Sequence, residues 1–250
     1  MATENGPVLF LAWQDAASRR WYPIGRLSCE GGIYRYVYVA GFTRAASEAG
    51  LAPPIGFPDI DREYRSDRLF PLFANRVMSS SRSDYGDYLA RLNIADGPTA
   101  PLEILARQRG SRPTDPFEVF LWPLTVTEEG PRFRATFFVH GLRHGPRTAQ
   151  ARAAELLPGD PLLPMPDWCN SFDPHAIALR TVDKHIIGFV PRYYAADLMR
   201  IHAAQITPTF AVERVNPPPA PTQERVLCRV DAAWRAPTPP LSDGDYRPLA

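Results

Sequence analysis

Asn170, Phe172 and Asp173 put an amide, an aromatic face and a carboxylate within four residues, in the run CNSFDP. An aromatic ring can stack on a base, an amide can bond a nucleotide, and a carboxylate can accept from a sugar hydroxyl while repelling an extra phosphate. That set suits gripping a nucleotide end better than building a core. The same Asn-x-x-Asp-Pro pattern is also a turn device whose side chains bond nearby backbone amides, so both readings stand at this point. A second segment is one-sided in charge. Between Gly130 and Ala154 there are arginines at 132, 134, 143, 147 and 152 and no Asp or Glu. A strand and helix lying side by side there would gather guanidinium groups able to neutralise phosphates. Alternating Arg132 and Arg134 equally fit the solvent face of a strand.

The pattern NxxDPxAI at 170–177, followed by IGFVPR at 187–192, resembles the HIRAN domain, a small β-rich module found in fork-remodelling helicase-like ATPases and in bacterial proteins, where it binds DNA ends. The resemblance implies that Phe172 stacks on a terminal base, that Asn170 bonds the nucleotide and that Asp173 accepts from a free 3′ hydroxyl. Stacking of that kind contributes about 1–3 kcal/mol per base. Ser171 and Phe172 stand where the family's NPYD turn has proline and tyrosine. Gly141, Leu142, Arg143 and His144 match the family's first-strand exit, with His144 in place of an aromatic. Arg192 and Tyr193, at the start of a helix, suit a phosphate, and Lys184 joins the DNA-binding set with Arg132, Arg134 and Arg147. Gly188, Val190 and Pro191 read as architectural.

The first half resembles the N-terminal domain of HipA-type proteins. The carriers are Ile24, Gly25, Arg26 and Leu27, then Phe70 to Val77, and more loosely residues 102–120. The HipA kinase body is missing: nothing supplies a phosphate loop, a catalytic HRD-like segment or a DFG-like metal ligand.

These residues need elements to hold them. Residues 8–13, 21–27 and 33–39 read as three strands of an antiparallel meander, the last alternating aromatic and β-branched residues. A proline-rich connection leads to 68–77, a helix at 83–94 and a short helix at 102–108. Residues 107–127 read as a bridge broken by Pro113, Pro116 and Pro123. Beyond a boundary near residue 130, a strand at 133–144 and a helix at 148–159 follow, the helix capped by Thr148. DPLLPMPDW adds a strand, AIALRTV and HIIGFVP a hairpin around Asp183-Lys184, and YYAADLMRIHAAQ a helix with one of its tyrosines in the core. ITPTFAVERVN and RVLCRVDAAW close the sheet, while NPPPAPTQE and the C-terminal stretch are exposed and flexible. The expected fold class is α+β and β-rich, with two small domains: a HipA N-terminal-like antiparallel sheet with short helices at 1–128, and a HIRAN-like small β-barrel with two helices at 129–236. A flexible proline-rich tail, 237–250, completes the chain.

The totals limit what else the chain can be. With 28 prolines in 250 residues, a long-helix bundle is disfavoured. The net charge of +1 means that any nucleic-acid site is a local patch. Of 28 basic residues only Lys184 is lysine, which permits phosphate recognition but also follows from arginine-favouring base composition. Three scattered cysteines form no CxxC pair and read as reduced thiols, and no signal peptide or ~20-residue membrane span is present, so a cytoplasmic location away from membranes is expected. Cys169 with His175 or His185 hints at a thiol nucleophile and base, and Asp173 with His175 at a metal site. Nothing activates Cys169, and three ligands at proper spacing are missing. The expectation is a non-catalytic adaptor without cofactor or metal, binding single-stranded DNA or a 3′ end, its N-terminal domain meeting a protein such as a helicase, nuclease or kinase. Two alternatives remain: a protein-interaction subunit of a defence or toxin-related complex, and a small metal-dependent nuclease.

Overall fold

The computed structural model describes all residues except 1–5, 111–114, 172 and 243. The chain divides into two units, 1–122 with 241–250, and 123–240. The fold is α+β and strand-rich, and its strands form two antiparallel sheets. No described helix is long and apolar enough to cross a membrane.

The first unit contains β1 (Leu9–Gln14), β2 (Trp21–Glu30), β3 (Ile33–Tyr38), α1 (Ala40–Ala49), β4 (Tyr64–Ser66), α2 (Pro71–Ala74), α3 (Tyr85–Leu92), α4 (Ala100–Gln108) and β5 (Phe117–Leu121), with strand order β4-β3-β2-β1-β5. Period-2 alternation sends Leu27, Tyr36 and Tyr38 into the core, where Tyr36 and Phe57 lie 4.2 Å apart between ring centroids. Two elements here depart from expectation. Residues 40–49 form a helix that the sequence reading passed over, because AGFTRAASEA has a weak apolar stripe. Phe117–Leu121 is a strand, not a bridge: Phe10 pairs with Phe120 and Leu11 with Val119, and both Val119 and Phe120 are buried. Pro116 and Pro123 bound that strand without interrupting it.

The last ten residues complete this unit instead of forming a free tail. Leu249 N–H donates to the Tyr38 carbonyl at 2.9 Å, Ala40 N–H donates to the Arg247 carbonyl at 2.9 Å, and Tyr246 meets Phe10 edge-on at 5.0 Å. The division between units falls at 122/123, six residues before the expected position.

The second unit contains β6 (Leu124–Thr127), β7 (Gly130–Phe138), α5 (Arg147–Ala154), β8 (Pro161–Pro166), β9 (Ile177–Arg180), β10 (Ile186–Phe189), α6 (Arg192–Ala203), β11 (Thr209–Val215) and β12 (Val226–Ala233), ordered β10-β9-β8-β11-β12-β7-β6. The sheet curls back on itself. Just past β7, His140 and Phe189 of β10 exchange both backbone hydrogen bonds, at 2.9 and 2.8 Å, so the far edge strand returns to β7. A small barrel with two helices results. Phe133 and Phe137 fill it from β7 and meet Tyr194 of α6, at 5.6 and 6.0 Å, which makes Tyr194 the core tyrosine.

Helix α5 is shorter than the expected 148–159, and Pro146, not Thr148, precedes its first turn, without a side-chain cap. The NPPPAPTQE connection is not wholly exposed. Asn216 and Ala220 are buried, and the Asn216 amide donates to the Glu224 carbonyl at 2.7 Å.

Candidate nucleic-acid interface

Three segments remote in sequence meet at the end of β10. Phe189 is held by His140, and Val190 N–H donates to the Ile177 carbonyl at 2.9 Å, so the exit of β7 and the entry of β9 flank the same two residues. The chain then turns at Pro191 into α6. Gly188 allows this approach: it has φ of +146°, and a Cβ there would lie 2.2 Å from the His140 carbonyl oxygen. No side-chain cap bond is made at the N-terminus of α6, and the positive end of the helix dipole there favours an anion.

The turn at 167–176 delivers Asp173 to this point and is built as the Asx pattern foretells. Asn170 Oδ1 accepts from Asp173 N–H at 3.0 Å, Asn170 Nδ2 donates to Asp167 Oδ2 at 3.0 Å, and Asp173 Oδ1 accepts from His175 N–H at 3.0 Å. Asp173 Oδ2 faces Arg192 Nε at 3.7 Å, and the Asp173 side chain keeps only 16% of its surface exposed. A carboxylate offers about four lone-pair positions, so this oxygen can still accept a further donor. Asn170 and Asp173 therefore shape the turn, and Asp173 also meets the first residue of α6. Phe172 lies outside the described residues.

The strand exit contributes from the opposite side. Tyr193 is half-buried, its ring edge-on to His140 at 6.5 Å. After Gly141 a 3-10 turn carries exposed Arg143 and His144, where Arg143 Nε donates to His144 Nε2 at 2.9 Å. Gln150 of α5 donates to the Gly145 carbonyl at 3.0 Å and so holds the first turn of α5, with exposed Arg147, beside it. Arg143, His144, Arg147, Asp173, Arg192 and Tyr193 thus surround the end of β10.

The remaining expected residues are placed elsewhere. Arg132 and Arg134 start β7, eight and six residues before His140, or about 26 and 20 Å along a strand. Both bond Asp231 of β12: Arg132 Nε donates to Oδ1 at 2.6 Å, Arg134 Nε donates to Oδ2 at 2.7 Å, and Arg132 also lies 3.8 Å from Glu129. Burial pushes the Asp231 carboxyl up, but hydrogen bonds from the two arginines outweigh it and hold the group below its usual range. Arg152 bonds Asp183 at 2.9 Å. The acid-free stretch of sequence is therefore only partly acid-free in space. Lys184 occupies the β9–β10 turn with φ of +74°, six residues before Val190, or about 20 Å along a strand.

No family model matches the sequence, and no curated protein matches it. Two solved structures resemble 40% of the chain. One is the HIRAN domain of human HLTF, 16% identical with a TM-score of 0.30 over 72% of that chain. The other is a structural-genomics protein from Lactobacillus plantarum, 17% identical with a TM-score of 0.32 over 92% of that chain. Both likenesses are remote, and a HipA-type likeness of the first unit is not shown.

One residue at the turn escaped the sequence reading. Trp168, two positions before Asn170, is 73% exposed, an unusual state for a large aromatic beside a polar turn. The available signal was its place in DWCNSFD, next to the residues already singled out. Among the described residues no three His, Cys, Asp or Glu side chains cluster as metal ligands. Cys169 is exposed, whereas Cys228 is buried and its thiol is pushed up by desolvation.

Proposed function

We propose that the second unit holds a single-stranded DNA end against the tip of β10. The observation that carries this is the meeting of the β7 exit, the NSFD turn and the α6 start on Phe189 and Val190. Cations at Arg143, Arg147 and Arg192 and the positive end of the α6 dipole attract phosphate, exposed aromatic surface at Trp168 offers stacking, and Asp173 Oδ2 offers one acceptor to a terminal hydroxyl. The resemblance of NxxDPxAI and IGFVPR to the HIRAN domain supports the same assignment. Arg132 and Arg134 take no part, because both are tied to Asp231 at a distance from the tip. The second unit acts as a holder without chemistry of its own, and the chain as an adaptor whose first unit is left for contact with a protein.

Fluorescence anisotropy of the full chain with a short single-stranded oligonucleotide tests this. Phe172→Ala and Arg192→Ala should each weaken binding about tenfold or more, while Arg134→Ala should leave it within about twofold. Equal loss in all three, or in none, would refute the assignment.

A further inference from the structure

The outer face of the first sheet carries a cavity of about 270 Å³, lined by Arg26, Ser28, Glu30, Arg35 and Val37 of β2 and β3 and by Glu63 and Pro248. Register explains the gathering. Arg26 pairs with Val37 and Ser28 with Arg35, so four side chains point to one face while Leu27, Tyr36 and Tyr38 point to the core. The two arginines sit on a diagonal of the pair, about 7–8 Å apart at Cα.

The charge on this face is incompletely balanced. Arg26 has no acidic partner among the described residues, and its guanidinium lies over Trp122 at 5.3 Å. Arg35 Nε is buried with no hydrogen-bond partner, and its nearest carboxylate, Glu30, is 3.8 Å from another nitrogen of the fork. Glu63 is bonded to Arg65. A buried donor without a partner costs stability unless something fills the role, and a guanidinium fork takes oxyanions in paired hydrogen bonds.

We propose that this cavity binds a small phosphate-bearing molecule. Two forks and the Ser28 hydroxyl can meet the three oxygens of a phosphate monoester, whereas one carboxylate would engage a single fork. The volume, at the lower end for ligand pockets, leaves room for a sugar-sized body against Val37. This site is separate from the nucleic-acid interface.

Calorimetric titration of the full chain with ribose 5-phosphate at low salt provides the test. One saturable site is expected, weakened at least tenfold in Arg26→Gln and in Arg35→Gln. Arg20→Gln, whose partner Glu48 lies outside the lining, should bind as the native chain does. Free ribose should not bind, and malonate should bind at least tenfold more weakly. Absence of saturation at millimolar ribose 5-phosphate, undiminished binding in both lining variants, or equal binding of malonate overturns the proposal. Should Arg26→Gln lose its fold with its contact to Trp122, as judged by circular dichroism, Arg35→Gln decides.

Discussion

Asp173 illustrates how one side chain serves two ends. One oxygen closes an Asx turn on His175, which fixes where the carboxylate sits, and the other meets Arg192 and points to where a ligand hydroxyl could lie. The sequence exposed both meanings of Asn-x-x-Asp-Pro, and the structure shows the turn in place. What the sequence could not show was Arg192 across from Asp173, since nineteen residues separate them, nor that Arg132 and Arg134 share Asp231, about a hundred positions away. Two predictions belong at this scale. Gly188→Ala drives a methyl group onto the His140 carbonyl at a φ that L residues rarely adopt, so urea unfolding should show a loss of about 3 kcal/mol. Asp183 is held down to about 2 by hydrogen bonds from Thr181 and Arg152. Its folded carboxylate is harder to protonate than its unfolded one, whose value is near 4, so the stability it gives is present above about pH 4 and is lost as pH falls toward 2. A carboxyl NMR titration should place its midpoint near 2, and Thr181→Val should raise that midpoint more than Arg152→Ala.

At the level of elements, β10 matters most although it is only four residues long. It is hydrogen-bonded to β9 along one side and reaches the end of β7 through His140 on the other, so three loops are brought to its tip. Its hairpin with β9 was legible, because AIALRTV and HIIGFVP are β-rich runs about a polar turn. The closure onto His140 was not, since a two-bond bridge between residues forty-nine apart leaves no periodic trace. The same limit hid the role of Leu241–Ala250: a proline-rich, polar segment reads as a tail, yet it binds β3 and α1 by backbone hydrogen bonds that any sequence can make. Deletion of residues 241–250 should therefore destabilise the first unit by about 2–4 kcal/mol, from two lost backbone bonds and the contact between Tyr246 and Phe10, measured by chemical unfolding followed through tyrosine and tryptophan fluorescence.

Across the whole molecule, near-neutral net charge and a local site fit together. Asp231 holds Arg132 and Arg134, and Asp183 holds Arg152, so in the proposed complex the cations near the tip of β10 are the ones that meet a ligand. About three phosphate contacts follow, and the logarithm of affinity should fall with the logarithm of salt at a slope of about −2, with Arg147→Ala reducing its magnitude by nearly 1. A slope of about −3.5 would mean that the two arginines of β7 bind as well. The most direct measurement compares the full chain's affinity for one single-stranded oligonucleotide bearing either a 3′ hydroxyl or a 3′ phosphate. The hydroxyl end should bind at least tenfold more tightly, and Asp173→Asn should narrow that difference. Equal affinities for the two ends in the native chain would contradict capture of a DNA end at the tip of β10.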